Sequence, residues 1–186
     1  MLLSDGWWDQ AIHAFSPNFN DRPEESDIDL LVIHNISLPP GVYGQGYVHD
    51  LFLNKLDCSL HPYFKSLENL QVSAHAFIER DGCITQFVSF DKRAWHAGRS
   101  VFDGRSECND FSIGIELEGT DDDAYTDVQY RRLVELSAVI MNTYPKITLD
   151  RIAGHSDIAP ERKTDPGPSF NWQFYKSLLA QNILKI

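Results

Sequence analysis

Residues 111–118 constrain the fold of this chain most, because their apolar and non-apolar side chains alternate strictly. Ile113, Ile115 and Leu117 point one way, and the residues between them point the other way. Side chains of a β-strand alternate between the two faces of a sheet, so this period of two predicts a strand with one face in an apolar core. The opposite face of that strand carries Glu116.

Other strands are predicted on both sides of this one. Residues 28–34 are β-branched and apolar on both faces near their end, which is typical of a central strand. Residues 72–79 and 83–90 are predicted to form a hairpin, since the Asp-Gly pair at 81–82 favours a tight turn. A short strand is predicted at 151–155.

The predicted helices lie between and after these strands. Thr126 and Gln129 have capping-box spacing before an apolar pattern of helical period, and Pro145 ends that pattern, so a helix is predicted over 127–144. Shorter or terminal helices are predicted over 49–56, 63–70 and 171–184. Together these elements indicate an α/β or α+β fold, a mixed sheet flanked by helices in one domain over residues 1–186.

Composition excludes several classes of function. The formal net charge of −11 argues against nonspecific binding to nucleic acid or to an anionic membrane. The sequence contains neither a membrane-spanning apolar stretch nor a basic, apolar leader, and no obligate protein partner is inferred. Three widely spaced cysteines without a CxxC pair favour a reducing compartment over a disulfide framework, so we expect a cytoplasmic protein.

Three possible metal ligands stand where predicted strands or turns meet loops. His34 and His155 are each expected to close a strand, and Asp165 lies ten positions after His155, just before Pro166. Two imidazoles and one carboxylate would leave a fourth tetrahedral position open, which is typical of a catalytic zinc site. The alternative is that each histidine is an ordinary buried side chain, and spacing alone does not decide between the two.

Two further features could serve catalysis beside such a site. Glu116, on a rigid strand, could accept a proton from water and deliver it to a leaving nitrogen. Arg162 and Lys163 could stabilise an oxyanion and attract a substrate that carries carboxylates. The alternatives are a solvated strand face for Glu116 and Glu118 and a solvated basic dipeptide for residues 162–163.

Five further segments stand in order along the chain, namely Leu31-Val32-Ile33-His34-Asn35, Arg93-Ala94-Trp95-His96-Ala97-Gly98, residues 109–119, residues 154–160 and Arg162-Lys163-Thr164-Asp165-Pro166-Gly167. Together they resemble N-acetylmuramoyl-L-alanine amidases of the amidase-2 type, and most closely the AmpD-type enzymes that act on 1,6-anhydro-muramoyl peptides in cell-wall recycling. The resemblance covers about residues 7–174.

The resemblance implies a role for each of the residues considered above. It implies a Zn²⁺ cofactor, a fold related to peptidoglycan-recognition proteins and an anhydro-muropeptide substrate cut between muramic acid and L-alanine. The implied zinc ligands are His34, His155 and Asp165, the implied general base is Glu116, and the implied oxyanion-stabilising cation is Lys163. The implied substrate contacts are Asn35, Trp95 and Arg162.

Some alternatives stay open at this point. A non-catalytic muropeptide receptor could share the fold, although it would have no need of the complete set of ligands, base and cation. An amidase acting on intact, non-anhydro strands could share the motifs. His96 is expected either to form a hydrogen bond in the cleft or simply to pack there. Arg99 and Arg105 are candidates for neutralising the carboxylates of a stem peptide.

Overall fold

A computed structural model describes residues 5–24 and 26–183, and short strands dominate it. The strands of this part of the chain are β1 (Ile12–His13), β2 (Phe19–Asn20), β3 (Leu30–Ile36), β4 (Ala76–Ile78), β5 (Ile84–Gln86), β6 (Arg93–Ala94), β7 (Val101–Phe102), β8 (Arg105–Ser106), β9 (Ser112–Glu118) and β10 (Ile152–Gly154). The α-helices are α1 (Tyr47–Phe52), α2 (Asp127–Thr143), α3 (His155–Ile158) and α4 (Trp172–Ile183). Three 3-10 segments cover Pro62–Leu67, Cys108–Asp110 and Leu149–Arg151.

Six of these strands form one mixed sheet in the order β1-β5-β4-β9-β3-β10. The hairpin pair β4 and β5 is antiparallel, and the other neighbouring pairs in the sheet are parallel. The long strands β3 and β9 lie at its centre and are paired along their whole length, from Leu30 with Ser112 to Ile36 with Glu118. The predicted mixed α+β architecture is confirmed.

The two faces of the central strands have different roles. Ile33 and Ile115 belong to one apolar cluster with Leu133 of α2 and Leu179 of α4, so these two helices cover that face. The alternation predicted for residues 111–118 is confirmed, because Ile113, Ile115 and Leu117 belong to this cluster whereas the alternate residue Glu116 does not. The second face is therefore free to carry polar groups.

The local signals at the hairpin and at α2 are confirmed. The Thr126 hydroxyl accepts the Gln129 N–H at 3.1 Å and the Gln129 side chain accepts the Thr126 N–H at 3.1 Å, which completes the capping box. Gly82 has a φ of +87°, and a Cβ there would lie 2.6 Å from Val128 Cγ2. The turn therefore requires glycine both for its backbone conformation and for its contact with α2.

Several predicted boundaries were wrong in ways that matter for the site. β3 does not end at His34 but continues to Ile36, since its pairing with β9 continues that far. His155 does not close a strand; β10 ends at Gly154 and His155 begins the single turn of α3. The helix predicted over 63–70 is a 3-10 segment that Pro62 begins. The predicted end of the last helix, Leu184, lies outside the described residues.

The segment before β3 is more integrated than its polar sequence suggests. β1 forms one edge of the central sheet, and the Trp8 side chain is 2% exposed in the main apolar cluster. The Arg22 guanidinium donates to the carbonyls of Asn109, Asp110 and Ser112 at 2.8–3.0 Å, and so fixes this segment to the start of β9. No helix of the described residues is long and apolar enough to cross a bilayer.

Candidate metal and catalytic site

Three side chains from distant parts of the chain converge on one point. His34 Nδ1 lies 2.9 Å from His155 Nδ1, and Asp165 Oδ2 lies 3.1 Å from each of these nitrogens. His34 and His155 are buried, and Asp165 is 9% exposed. The sequence-predicted ligands are thus brought together, and they form the one such cluster of three or more potential ligands among residues 5–24 and 26–183.

The sheet determines where the two imidazoles stand. β3 and β10 are parallel neighbours in which Gly154 aligns with Ile33, so His34 and His155 follow at the same height. The Ser156 N–H donates to the Asp165 carbonyl at 2.9 Å and brings the loop back to α3. A Cβ on Gly154 would lie 2.8 Å from Pro166 Cδ, so glycine permits this close approach.

The protons on these groups leave lone pairs facing the centre of the cluster. His155 Nε2 donates to the Ala97 carbonyl at 3.0 Å, because a carbonyl can only accept, so in the neutral form of this ring the Nδ1 atom carries no proton. Burial lowers the pKa of His34 to about 4, which keeps the His34 ring neutral near pH 7.

This donor set fits a divalent metal ion. Ligand atoms at about 2.0–2.1 Å from a tetrahedral zinc stand about 3.3 Å apart, close to the 2.9–3.1 Å separations found here. With both rings in their neutral form, the three groups have no proton to share at these separations, and a cation satisfies all three. The geometry therefore supports a metal site with three protein ligands.

Glu116 lies directly beside this cluster. It is the register partner of His34 across β3 and β9, and its side chain is only 9% exposed. Its Oε2 atom has no hydrogen-bond partner in the part of the chain that the structure describes. Burial, followed by the negative charge of Asp165, raises the pKa of Glu116 well above its ordinary value, and the positive charge of Lys163 opposes this rise. A buried, unpartnered carboxyl group of raised pKa is typical of a proton-transferring side chain.

Glu118, two residues further along β9, contradicts the solvated-face alternative. It is 5% exposed, and its two carboxylate oxygens accept the backbone N–H groups of Gly44 at 2.6 Å and Arg80 at 3.0 Å. This carboxylate therefore ties the loop that follows β3 to the chain beyond β4. The alternation of β9 indicated the face correctly, but it could not show that a loop covers that face.

The two basic residues at 162–163 have different surroundings. The Arg162 guanidinium donates to the carbonyls of Ala97 at 2.6 Å and Arg99 at 2.9 Å, so it supports the loop that also receives the proton of His155. Lys163 lines the same cleft as Glu116 and Asp165. Arg162 is exposed, as the solvated-dipeptide alternative expects, but it also holds protein carbonyls.

The other predicted contacts also border this cleft. Asn35 donates to Asp121 Oδ1 at 2.9 Å, and the Trp95 indole N–H donates to Asn20 Oδ1 at 2.7 Å. Arg105 is less available, because it donates to Asp29 Oδ2 at 2.6 Å and its guanidinium stacks 3.8 Å from the centre of the Phe111 ring. Asn35 and Trp95, which are expected to contact substrate, are thus each held in place by a hydrogen bond to a neighbour.

The cleft itself has a volume of about 560 Å³ and a mixed lining. Two of the three predicted metal ligands, His155 and Asp165, line it together with Glu116, Arg162 and Lys163. Its apolar and aromatic lining includes Leu38, Leu51, Phe52, Tyr63, Leu67, Leu70 and Val72. Such a cleft suits a ligand with a polar, charged part and a less polar part.

The sequence alone does not decide between the two roles of His96, and the structure shows its side chain in contact with the cluster. Its Nδ1 atom lies 2.9 Å from His34 Nε2, and its Nε2 atom lies 3.1 Å from Ser112 Oγ. The hydrogen-bonding interpretation is confirmed over simple packing. Its position one residue after Trp95 carried no signal for such a contact, since the contact depends on how β6 passes over β9.

Comparisons with known proteins agree with these features. The sequence model of the family described as N-acetylmuramoyl-L-alanine amidase matches residues 24–168. The 1,6-anhydro-N-acetylmuramyl-L-alanine amidase AmpD of Haemophilus influenzae is 59% identical over 162 residues, which are 87% of this chain and 88% of that protein. A crystal structure of a selenomethionine AmpD derivative superposes with a TM-score of 0.93 at 52% identity, over 96% of this chain and 99% of that one.

A third similarity is with a solved complex. The amidase AmiD of Escherichia coli, bound to the substrate anhydro-N-acetylmuramic acid-L-Ala-D-γ-Glu-L-Lys, matches with a TM-score of 0.59 at 27% identity. The match covers 87% of this chain and 65% of AmiD.

Proposed function

Given that this chain belongs to the N-acetylmuramoyl-L-alanine amidase family, we propose that it is a zinc-dependent amidase of peptidoglycan recycling. It hydrolyses the amide bond that joins the lactyl group of 1,6-anhydro-N-acetylmuramic acid to the L-alanine of the stem peptide. The observation that carries the proposal is the convergence of His34, His155 and Asp165 within 3.1 Å of one another, next to a buried glutamate.

In this proposal His34 Nδ1, His155 Nδ1 and Asp165 Oδ2 hold the zinc ion. Zinc supplies Lewis-acid polarisation of an amide carbonyl and makes water a stronger acid. The buried setting of the three ligands strengthens every charge interaction with a substrate held there, because few water molecules screen them.

Glu116 moves the proton. Its unpartnered Oε2 accepts a proton as water attacks the lactyl carbonyl, and the same oxygen then delivers that proton to the departing alanine nitrogen. A raised pKa suits both halves of this cycle, since the protonated form must persist long enough to serve as an acid. The rigid pairing of β9 with β3 keeps this carboxyl group in register with the ligand His34.

Lys163 stabilises the oxyanion that forms on the lactyl oxygen. It lines the same cleft as Glu116, and its charge acts on both Glu116 and His34. A preorganised cation at a developing negative charge is among the largest single contributions to such a reaction. Arg162 supports the lining of the cleft through the carbonyls of Ala97 and Arg99.

The substrate is assigned from the cleft and from the relatives. The H. influenzae relative is a 1,6-anhydro-N-acetylmuramyl-L-alanine amidase, and the E. coli amidase is bound to an anhydro-N-acetylmuramic acid peptide in its solved complex. We propose that apolar side chains of the cleft contact the anhydro sugar and that Asn35, Trp95 and Arg162 border the lactyl-peptide part. Arg99 is exposed and faces a stem-peptide carboxylate in this arrangement, whereas Arg105 is paired with Asp29.

The same proposal treats residues 1–186 as one amidase domain that works in the cytoplasm. Trp8 and Leu179, near opposite ends of the chain, share one apolar cluster, which supports a single folding unit. All three cysteines, Cys58, Cys83 and Cys108, are free thiols, which suits a reducing compartment.

A direct test compares purified protein, with and without a chelator, on an anhydro-muropeptide and on the corresponding non-anhydro muropeptide. We expect chelator-sensitive release of free stem peptide, detected by mass, and faster release from the anhydro substrate. An equal rate of peptide release with and without the chelator would contradict the proposed zinc dependence. A zinc-loaded protein that binds the muropeptide but releases nothing would be a receptor, and equal rates on both substrates would contradict the anhydro preference.

A further inference from the structure

We propose that His96 is a positioning residue that fixes the His34 imidazole with Nδ1 turned toward His155 and Asp165. This inference rests on the zinc site of the proposed function and adds a residue to which neither the family resemblance nor the reaction assigned a role. It is carried by a chain of three hydrogen bonds behind His34 and by a glycine that makes room for the His96 ring.

The donor and acceptor in each of these three hydrogen bonds follow from the bond furthest from His34, which Ser112 makes. Ser112 Oγ lies 2.5 Å from the Cys108 carbonyl, and since a carbonyl can only accept, the single hydroxyl proton points there. Ser112 Oγ therefore accepts from His96 Nε2 at 3.1 Å, which places the His96 proton on Nε2. His96 Nδ1 is then a lone pair, and it accepts the proton of His34 Nε2 at 2.9 Å.

The consequence for His34 is a defined tautomer. With its proton held on Nε2, the His34 ring presents a bare Nδ1 to the other two ligands. The reverse direction would leave the hydroxyl oxygen of Ser112 and the Cys108 carbonyl oxygen facing each other without a proton. The hydrogen bond that a metal-binding histidine makes with its second nitrogen commonly sets its tautomer and ring orientation.

The backbone around His96 is built to hold this ring. A Cβ on Gly114 would lie 2.4 Å from both Cγ and Nδ1 of His96, so the ring lies against β9 at a position that only glycine leaves open. Asn109 Oδ1 accepts the N–H groups of His96 at 3.1 Å and of Ala97 at 2.8 Å. One side chain therefore fixes the backbone of both residues.

Residues 96 and 97 together serve both imidazole ligands. His96 accepts the Nε2 proton of His34, and the carbonyl of Ala97 accepts the Nε2 proton of His155. A single short segment after β6 thus determines the tautomer of each histidine. Loss of such a supporting hydrogen bond typically weakens metal affinity by about 10–100-fold.

Isosteric variants of His96 test which nitrogen matters. The Oδ1 atom of asparagine stands where Nδ1 of histidine stands, whereas the glutamine amide reaches only the position of Nε2. Zinc affinity measured by competition with a chromophoric chelator should fall about 10–100-fold in His96→Ala and His96→Gln, and recover most of the way in His96→Asn. His13→Asn, at the edge strand β1, is the matched control and should bind zinc like the parent protein.

A second pair of variants keeps the test independent of the folding of His96→Ala. Gly114→Ala pushes the His96 ring away and should weaken zinc binding in the parent protein. The same substitution should cost no further affinity once His96 is alanine, because the clash is gone. Equal losses in both backgrounds would show that Gly114→Ala acts through β9 and would contradict the proposed contact.

The His34 tautomer, read from imidazole nitrogen shifts by NMR in the metal-free protein, separates this inference from the proposed function. Protonated Nε2 and bare Nδ1 are expected in the parent protein and a mixture in His96→Ala. If the parent protein binds no zinc, the proposed function fails, yet the tautomer still decides the role of His96. Unchanged zinc affinity and an unchanged tautomer in His96→Ala would overturn the inference, as would a His96→Gln variant that matches His96→Asn.

Discussion

His34 and Glu116 are direct register partners on the neighbouring parallel strands β3 and β9, with both side chains on the sheet face opposite α2 and α4. The proposed metal ligand and the proposed base are therefore held at one separation by backbone hydrogen bonds of the sheet, not by a loop. Functional groups on rigid elements need no reorganisation at the moment of reaction, which is the condition for efficient proton transfer.

Replacing Glu116 by glutamine should abolish most turnover and leave the metal in place. The amide keeps the size of the side chain but cannot accept a proton, so kcat is expected to fall about 10²–10⁴-fold. Peptide release and zinc content are measured on the same preparation. A variant that retains zinc and normal kcat would eliminate Glu116 as the base.

Replacing Lys163 by methionine should lower kcat and change KM little. The apolar stem of the side chain is retained, while the charge near the developing oxyanion is lost, and the expected cost is about 10²–10³-fold in kcat. Lys146→Met is the matched control, since Lys146 is exposed and paired with Asp27 on the surface. A Lys163 variant in which only KM rises would instead indicate a binding role.

Replacing Glu118 by alanine should destabilise the protein without removing its metal. The backbone N–H groups of Gly44 and Arg80 would lose their buried acceptor, and the loss is expected to be about 1–3 kcal/mol of the free energy of unfolding in urea. A solvated glutamate at this position would change that free energy by less than about 0.5 kcal/mol. Zinc stoichiometry should match that of the parent protein.

Acidification should destabilise the metal-free protein through its buried neutral histidines. Burial lowers the pKa of His34 to about 4 and of His75 to about 3, while in the unfolded chain both groups titrate near pH 6.5. The unfolded state therefore binds more protons below pH 6.5, and stability is lost as the pH falls from 6.5 toward 4. At pH 5.5 the loss relative to high pH is about 1.4 kcal/mol for each histidine.

Urea unfolding of His75→Gln at pH 7.5 and 5.5 checks this sign. His75 is fully buried and accepts the Gly114 N–H at 3.0 Å, so the variant should be less stable at both values. The free energy of unfolding of the variant should differ less between the two pH values than that of the parent protein does. The reduction should be about the contribution of one histidine. An unchanged difference would show that the pKa of His75 does not change on unfolding.

Much of this architecture could be predicted from local signals. The alternation of residues 111–118, the Asp-Gly turn at 81–82 and the capping box of Thr126 each depend on neighbours in sequence, and each is confirmed. The spacing of His34, His155 and Asp165 suggests a shared site and the family resemblance implies one, and the structure brings their donor atoms together.

The structural features that could not be predicted from the sequence depend on long-range contacts. The two-residue strands have too few residues for any periodicity, and β1 exists only because β5 lies beside it. The role of Glu118 depends on a loop more than 70 residues earlier, and that of His96 depends on the absence of a Cβ at Gly114. Neither contact leaves a pattern in the sequence around the residue concerned.

The most direct test of the account is the zinc content of the purified, zinc-supplied protein beside that of His155→Ala and His13→Asn. We expect about one zinc per chain in the parent protein and in His13→Asn, and loss of stoichiometric zinc in His155→Ala, because two ligands remain where three are needed. A parent protein without zinc, or a His155→Ala variant that keeps a full equivalent, would contradict the claim that these three side chains share one ion.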